Sequence, residues 1–319
     1  EKIRFDIQED IAVNIKNIDK WFTKEVQINL SKIFRAIQNE DSKWARKIFW
    51  LCMSNTVRSV CNSRSSTFKL HIKSVDQIEN IPNTLEVFSK NIDKTLVALR
   101  EQKDILKEMG SLNRSHSKSR IKIIHADTTQ KLNKKIQCDL LVSSPPYGDN
   151  STTVTYGQFS FLSLKWIDEK DIDNLKIKGL LENQNKIDSS SLGGSLKGAS
   201  EKLDILKNKS STLIDIVKDI SVVNAENVKK LVTFIYDLDL ALDNALFYLR
   251  KNAYMIWTLG NRRISNIEVP LDKIMREILE HKGCVFVHQI EREILSKRMA
   301  MKNSFANTMD KELILMMRK

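Results

Sequence analysis

The stretch CDLLVSSPPYGDN (residues 138–150) leads from a short apolar strand into two adjacent prolines and a tyrosine. The chain has only four prolines in 319 residues, so a pair of them at the end of a strand marks an unusual loop. Each proline fixes its own φ and restricts the residue before it, and neither has an amide proton. The loop is therefore rigid and presents carbonyl oxygens without matching donors.

Such a loop is suited to holding a planar group that carries an exocyclic amine. The hydroxyl of Ser144 and the carbonyl of Pro145 would accept the hydrogens of the amine, while Tyr147 stacks on the ring and Pro146 keeps the loop stiff. Ligands of α/β sheets lie beyond the carboxyl ends of the strands, where this loop falls. A Pro-Pro pair also occurs in ordinary turns, so these four residues alone leave a structural role open.

Hydrophobic periodicity predicts how the rest of the chain folds. Apolar residues recur at three- and four-residue steps, as in helices, in four segments: 14–60, 83–109, 228–249 and 270–281. Short β-rich apolar runs predict strands at 121–127, 138–144, 253–261, 284–290 and 311–317, the first two of them parallel. Because these elements alternate, we predict an α/β protein with a Rossmann-like, doubly wound sheet.

The same pattern predicts two regions and an insertion. Residues 1–118 form a helical N-terminal region, and residues 119–319 form the α/β domain. Residues 168–225 interrupt the second region with sequence rich in Lys, Asn and Ser, and LGGSLKG (residues 192–198) at its centre is typical of a linker. We therefore expect a mobile insertion of helices and loops.

Composition narrows the class of protein. The net charge of +12 indicates either a lysine-rich surface or a polyanionic partner such as nucleic acid. No apolar run is long enough for a membrane helix, and no secretory pattern opens the chain. Four scattered cysteines predict a protein of the reducing cytoplasm, without a disulfide framework or a zinc site. The five histidines lack metal-ligand spacing, and we expect His125, within IIHAD, to be a core residue.

Several further stretches carry a resemblance to a known family: SSPPYGDNSTTVTYGQFSFLSLKW (residues 143–166), NIDKWF (17–22), TLGNRRISNIEVPLDKI (258–274) and the closing NTMDKELILMMRK (307–319). Together they resemble the S-adenosylmethionine-dependent amino-methyltransferases of DNA. The serine form of the proline motif is typical of the cytosine-N4 group, although adenine-N6 remains open. The resemblance implies that a base flipped out of double-stranded DNA attacks the methyl donor with its own amine. No enzyme thiol is then required, and the chain has no Pro-Cys nucleophile.

The resemblance also implies roles for residues outside the loop, each with a structural alternative. Tyr156 and Gln158 would line the base pocket or pack the loop, and Asn261 and Arg262 would lie beside the catalytic loop or form a turn. Lys297 and Arg298 would contact DNA phosphates or be solvated surface. Asp127 would bind the adenine end of the cofactor or cap a helix. The insertion 168–225 would help to recognise the target sequence.

One expected feature is missing. The family binds S-adenosylmethionine through a glycine-rich turn, and none of the nine glycines lies in that pattern after a strand. In the group that this chain resembles, the turn precedes the Asn-x-x-x-Trp-Phe segment. We therefore expect the cofactor-binding strands to precede Glu1 on the same polypeptide or to lie on a partner subunit, with loss of the cofactor site as a third alternative.

The resemblance predicts a site-specific DNA methyltransferase that serves a restriction–modification system or antiviral defence. Two alternatives stay open at this point. One is a non-catalytic, DNA-binding subunit of a defence complex that keeps the fold. The other is an RNA base methyltransferase, which shares the proline loop. The sequence gives neither the recognition site nor the oligomeric state.

Overall fold

A computed structural model describes residues 3–65, 69–113, 116–118, 121–132, 136–149, 153–172, 179, 181–294 and 311–319. The chain forms two compact units. Unit 1 comprises Glu1–His125 and Gly157–Gln184, and unit 2 comprises Ala126–Tyr156 and Asn185–Lys319. Residues 157–184 thus join the helical N-terminal region, whereas the sequence pattern placed them in the second region.

The elements are numbered along the chain. The first part contains α1 (Ile18–Trp21), α2 (Lys24–Gln38), α3 (Lys43–Val60), α4 (Val75–Glu79), α5 (Thr84–Glu108), β1 (Leu112–Asn113), β2 (His116–Ser117), β3 (Cys138–Ser143) and α6 (Tyr156–Lys165). A 3-10 turn (Glu169–Asp171) precedes α7 (Lys186–Ser189), α8 (Ala199–Leu206), α9 (Ser211–Val223), α10 (Ala225–Tyr248), β4 (Leu249–Leu259), β5 (Arg262–Ile264), β6 (Ile267–Val269), α11 (Leu271–His281), β7 (Val285–Glu293) and β8 (Lys311–Arg318).

Unit 1 is a helical bundle of α2, α3 and α5. Most of α6 belongs to the same unit. Thr23, Ser42 and Asn83 cap the three long helices by accepting amide hydrogens of the first turn, which satisfies donors that a helix leaves free. The buried core includes Phe22 and Trp166, which pack edge to face with their ring centroids 5.8 Å apart. The periodicity of residues 14–60 and 83–109 correctly predicted the three long helices α2, α3 and α5.

Asp171, a buried carboxylate in the 3-10 turn, ties this turn to α3. Asp171 accepts hydrogen bonds from Arg46 Nε at 2.8 Å and from Trp50 Nε1 at 2.8 Å. The hydrogen bond from Arg46 is the main reason that the pKa of Asp171 lies below its ordinary value, and burial offsets part of that effect. The 3-10 turn is thereby tied to α3 inside the same unit.

Unit 2 is built on a mixed sheet with the strand order β3-β4-β8-β7. β3 runs parallel to β4, and β8 runs antiparallel to both of its neighbours. β3, β4 and β7 therefore share one direction, and the last strand is inserted between two of them. A mixed α/β fold is confirmed.

The helices of unit 2 cover one face of this sheet. Alternate residues of β4 (Ala253, Met255, Trp257 and Leu259) are buried in a single cluster with apolar residues of α9, α10 and α11. On the opposite face Tyr254 is 48% exposed. Among the described residues of unit 2, the helices thus pack on one face of the sheet, whereas a doubly wound sheet has helices on both faces.

Two local predictions differ from the structure. Residues 121–127 form no strand and pair with no strand in the described part of the chain, so the prediction of a parallel strand there is wrong for these residues. His125 within this segment is exposed, which corrects the expectation of a core histidine. An apolar run can read as a strand, yet a strand forms only where a partner supplies hydrogen bonds.

The insertion 168–225 is also more ordered than its composition indicated. It contains α7, α8 and α9, and Leu206, Leu213 and Ile220 are fully buried in the core of unit 2. Glu277 of α11 accepts a hydrogen bond from Thr212 Oγ1 at 2.6 Å and so anchors the start of α9. The prediction of a mobile insertion is therefore wrong for residues 185–225. Within the described ranges, no helix is both long enough and apolar enough to cross a membrane.

Candidate active site

The proline loop lies where the carboxyl ends of two parallel strands meet. Ser143, the last residue of β3, pairs with Trp257 of β4, so the loop after β3 lies beside the turn that follows Leu259. Loops at the carboxyl ends of neighbouring parallel strands form the ligand crevice in α/β proteins. The structure brings Arg262 against Gly148 and Asp149 of the loop.

The loop is accessible. Ser144 is exposed, and Pro145, Pro146 and Tyr147 are half-buried. Tyr147 packs against the hydrophobic core of unit 2. Its hydroxyl oxygen lies 3.5 Å from Ser144 Oγ, at the outer limit of a hydrogen bond. The four residues thus present a hydroxyl, carbonyl groups and an aromatic ring at the surface.

Two residues of the last strands hold Tyr147. Its hydroxyl donates to Glu312 Oε1 of β8 at 3.3 Å, and Arg292 Nη2 of β7 donates to the other oxygen of the same carboxylate. Burial raises the pKa of the Tyr147 hydroxyl; the hydrogen bond with Ser144 offsets part of the shift, and the charge of Glu312 adds to it. Tyr147 therefore remains a protonated donor, and its ring orientation is set by the sheet.

Arg262 lies against the backbone of the loop. A Cβ added to Gly148 would stand 2.3 Å from Arg262 Nη1 and 2.4 Å from Cζ, so only glycine fits at this position without a shift. Both terminal nitrogens of Arg262 lie 3.4 Å from Asp149 Oδ2. The side chains of Arg262 and Asp149 are 14% and 4% exposed. Burial lowers the pKa of Arg262, and the charge of Asp149 counteracts that shift.

The stretch LGGSLKG (residues 192–198), which the sequence analysis predicted to be a linker, packs close to Asp149 of this ion pair. Gly193 adopts a φ of +74°, and a Cβ there would lie 2.9 Å from Phe234 Cβ and 3.2 Å from Asp149 Cβ. The amide of Gly193 donates to Asp237 Oδ2 of α10 at 2.8 Å. LGGSLKG is therefore a tightly packed turn next to the loop and not a free linker, because its glycines are required by a positive φ and by close approach.

Asp127 lies on an exposed turn. One carboxylate oxygen accepts from the amide and the hydroxyl of Thr129 at 2.9 and 2.7 Å, and the other accepts from Gln130 Nε2 at 3.0 Å. The side chain thus caps a turn in the way that an aspartate caps a helix, although no helix follows in residues 128–132.

The remaining predicted site residues fall in different places. Tyr156 belongs to unit 2, is 54% exposed and adds slightly to the raised pKa of Tyr147. Gln158 belongs to unit 1 and is half-buried. The Asn261 side chain accepts the amide of Asp272 at 3.5 Å, at the start of α11. Lys297 and Arg298 lie outside the described residues.

The described residues do not by themselves form a site for S-adenosylmethionine. Both oxygens of Asp127 already serve its own turn, and Gly193 and Gly194, the adjacent glycines of the chain, follow α7 and face Phe234 and the carbonyl of Ser189. No step through that cofactor is derived from them. Over the same residues, no group of three or more His, Cys, Asp or Glu side chains is placed to hold a metal ion.

Sequence reasoning did not identify Glu312, Arg292 or Gly193 as part of this site. Glu312 and Arg292 reach the loop only through the register of β8 against β7, which pairs these two residues. Periodicity does not give that register. Gly148 and Asp149 follow Tyr147 directly in the motif, and that proximity was the available signal for them.

Comparison with known proteins gives a relative along most of the chain. The Type II methyltransferase M.MvaI of Kocuria varians is 31% identical over 313 residues, which cover 94% of this chain and 66% of the relative. This chain thus spans slightly less than two thirds of that protein's length. No family model and no solved structure matches. This match supports the resemblance to DNA methyltransferases, and the chain is similar to a Type II methyltransferase along nearly its whole length.

Proposed function

We propose that this chain carries the base-binding loop of a site-specific DNA methyltransferase that methylates N4, the exocyclic amine nitrogen of cytosine. One observation carries the proposal. The stretch Ser144–Tyr147 forms an accessible proline loop at the carboxyl end of β3, and its tyrosine is fixed from the sheet by Glu312. The similarity to a Type II methyltransferase supports the reaction class, and the serine form of the motif favours cytosine.

The loop would act by holding the amine and the ring of a flipped base. The hydroxyl of Ser144 and the carbonyl of Pro145 accept the two amine hydrogens, which orients the nitrogen lone pair towards the methyl group to be transferred. Tyr147 stacks on the pyrimidine, and base–aromatic stacking contributes roughly 1–3 kcal/mol per base. Because the tyrosine hydroxyl is already bonded to Glu312, the ring is oriented before the base arrives.

Arg262 and Asp149 would fix the backbone of the proline loop. The guanidinium of Arg262 fills the space over Gly148 and pairs with the next residue of the loop, so it fixes the backbone that follows Tyr147. A buried arginine that is paired in this way is a poor candidate for contact with phosphates. We therefore assign Arg262 a positioning role and propose that Lys297 and Arg298 contact the phosphates instead.

Double-stranded DNA is the proposed substrate, and a net charge of +12 favours a polyanion. Residues 168–225 are proposed to take part in target recognition. Gly193, in their packed part, lies close to Asp149 of the proline loop, and Val222, near the end of α9, is 88% exposed. A restriction–modification system is the proposed setting for the activity, since the relative is a Type II methyltransferase.

S-adenosylmethionine is the proposed methyl donor, and most of its site is proposed to lie on a segment outside the described residues, on the same polypeptide or on a partner subunit. The same observation, a base loop without an adjoining donor site in the described residues, favours a second candidate function. In that case the chain is a non-catalytic, DNA-binding subunit that keeps the methyltransferase fold.

The test combines donor binding with analysis of the product. The purified chain, alone and with the polypeptide encoded next to it, is titrated with S-adenosylmethionine and then incubated with DNA or tRNA, and the nucleosides are analysed by mass spectrometry. N4-methylcytosine in DNA supports the proposal. N6-methyladenine would correct the base, and methylation of tRNA alone would correct the substrate. Binding of DNA without donor binding in any combination favours the second candidate function.

A further inference from the structure

The helix α3 of unit 1 carries no carboxylate. Its basic residues are Lys43, Arg46, Lys47 and Arg58, whereas the neighbouring helices α2 and α5 contain one and five acidic residues. The stretch free of Asp and Glu extends beyond the helix at both ends, over residues 42–75, and contains seven Lys and Arg residues. Surfaces of soluble proteins ordinarily mix charges of both signs. A stretch of this length with a single sign is suited to a polyanionic partner.

One side of α3 faces away from the core of unit 1. Residues at steps of three and four lie on the same side of a helix, and five such residues follow one another along this outer side. We call them the α3 stripe: Trp44, Lys47, Leu51, Asn55 and Arg58. Trp44 is 76% exposed and Leu51 is 56% exposed. Large apolar side chains therefore stand in solvent between hydrogen-bond donors, which is the composition of a contact surface.

Arg58 differs from Arg46 of the same helix. Arg46 pairs with Asp171 at 2.8 Å. Arg58 pairs with no described carboxylate: its Nη2 donates to the carbonyl of Arg64 at 3.4 Å, and its Nε and Nη1 have no hydrogen-bond partner among the described residues. Its Cζ lies 4.3 Å from the ring centroid of Phe159 in α6. The guanidinium is thus held by stacking, which leaves its charge to an anion.

The uncompensated donors of Arg58 favour a ligand over a purely structural role. A buried donor without a partner costs free energy, and a structural arginine ordinarily avoids that cost through a carboxylate or carbonyl. A phosphate oxygen would satisfy these donors once the side chain turns outward from Phe159. Arginine is also the side chain best matched to phosphate, because its planar fork donates two parallel hydrogen bonds.

The segment after α3 brings a second arginine to the same end of the helix. The amide of Arg64 donates to the carbonyl of His71 at 2.8 Å, and the side chain of Arg64 is exposed. Lys73 has a different role, since its Nζ donates to the carbonyl of Cys61 at 2.7 Å, where α3 ends. A lysine there stabilises the helix C-terminus. Arg58 and Arg64 are therefore the cations that this end of α3 offers to a partner.

We propose that the α3 stripe, together with Arg64, is a contact surface for duplex DNA. Arg58 and Arg64 contact backbone phosphates, while Asn55 faces the edges of bases and Trp44 packs against the apolar parts of the nucleotides. A helix with its side chains is about 10–12 Å across, and the major groove of B-DNA is about 12 Å wide, so the outer side of α3 fits in the groove. The inference rests on the proposed function in taking double-stranded DNA as the substrate.

The competing partner is a protein that covers Trp44 and Leu51. Such a partner would use the apolar members of the stripe and would give no reason for the absence of Asp and Glu over residues 42–75. The two partners make different demands on Arg58. For DNA its charge contributes to affinity and to the dependence of affinity on salt, because each phosphate contact releases bound counterions.

The experiment measures binding of the full 319-residue chain to a fluorescently labelled duplex of mixed sequence by anisotropy, over a range of salt concentrations and without a methyl donor. Arg58→Met should reduce the slope of log K against log salt concentration by about 0.9 and weaken binding about eightfold at roughly 0.1 M salt, as expected for one lost phosphate contact. Trp44→Ala should weaken binding about fivefold and leave the slope unchanged, because it removes contact area and no charge.

The matched controls lie on α5 of the same unit. Arg100→Met removes an exposed arginine beside Glu101, and Met109→Ala removes an apolar side chain that is 71% exposed. Both should leave affinity within about twofold of the wild type. If Arg58→Met also lowers the urea midpoint, Trp44→Ala decides, since an exposed side chain can be removed without loss of the fold.

The outcomes separate this inference from the proposed function. If the wild type binds the duplex and the variants of the stripe bind no more weakly than their controls, the α3 stripe is not the contact surface, and the methyltransferase assignment stands. If binding depends on the stripe but an RNA hairpin of equal length is bound more tightly, the choice of DNA is overturned. Loss of affinity in Arg58→Met and Trp44→Ala alone supports the inference, and it does so even if no methylated base is ever formed.

Discussion

Replacing Arg262 with methionine should destabilise unit 2 far more than the same change at its neighbour Arg263. Methionine keeps much of the apolar length of the side chain and removes the charge. Arg262 and Asp149 are 14% and 4% exposed, whereas Arg263 and its partner Glu268 are 42% and 54% exposed. The two arginines are adjacent in sequence and both pair with a carboxylate, so Arg263→Met is a closely matched control.

The expected magnitude follows from burial. Removing one partner of a buried ion pair costs about 3–5 kcal/mol, since the other charge is left in a poorly solvated place. Both contacts to Asp149 are 3.4 Å long, which is longer than the charge-assisted optimum, so we expect the lower end of that range, about 3 kcal/mol. The exposed pair of Arg263 should contribute about 1 kcal/mol or less.

Urea denaturation with hydrogen exchange read at β4 measures the loss in unit 2, where both arginines lie. The double variant Arg262→Met with Asp149→Asn should recover part of the stability, because the buried negative charge is also removed. If Arg262→Met and Arg263→Met lower the free energy of unfolding by amounts within about 0.5 kcal/mol of each other, the buried ion pair does not stabilise the loop. If the double variant is additive, the two side chains are not coupled.

Three further predictions concern other contacts. Glu312→Ala should lower methyl-group incorporation into DNA about tenfold, because a hydrogen bond between Tyr147 and a charged group contributes roughly 1.5–3 kcal/mol; an unchanged rate would contradict this. The lowered pKa of Asp171 means that its contribution is complete above the ordinary value of 3.8 and is lost as the pH falls below it, so Asp171→Asn should reduce the urea midpoint at neutral pH and flatten its decrease in acid. Gly193→Ala should cost about 1–3 kcal/mol more than Gly198→Ala in thermal or urea unfolding, since both have a positive φ and only the first meets a close neighbour.

The helices and the loop of this protein could be predicted from the sequence because their signals are local. Apolar spacing marked α2, α3, α5, α10 and α11, and the two prolines marked the loop. The strands 138–144, 253–261 and 311–317 were recovered as β3, β4 and β8, with the second beginning four residues earlier than predicted. In each of these cases the pattern and the surrounding structure favour the same conformation.

The remaining features depend on partners distant in sequence. Residues 121–127 read as a strand, but pairing requires a neighbour that composition does not reveal. Residues 185–225 read as mobile because they are polar, while three buried leucine and isoleucine side chains, Leu206, Leu213 and Ile220, anchor them. The contact between Glu312 and Tyr147 could not be predicted from the sequence, because the two residues are 165 positions apart in the chain.

The central claim is that residues 144–147 grip the exocyclic amine of a flipped base. Its most direct test is mass spectrometry of nucleosides from DNA incubated with S-adenosylmethionine and the chain, together with the polypeptide that supplies the donor site, comparing wild type with Tyr147→Ala and with Phe247→Ala, an exposed aromatic of unit 2. We predict N4-methylcytosine with the wild type and Phe247→Ala and none with Tyr147→Ala, although that variant remains folded. Full methylation by Tyr147→Ala would contradict the account.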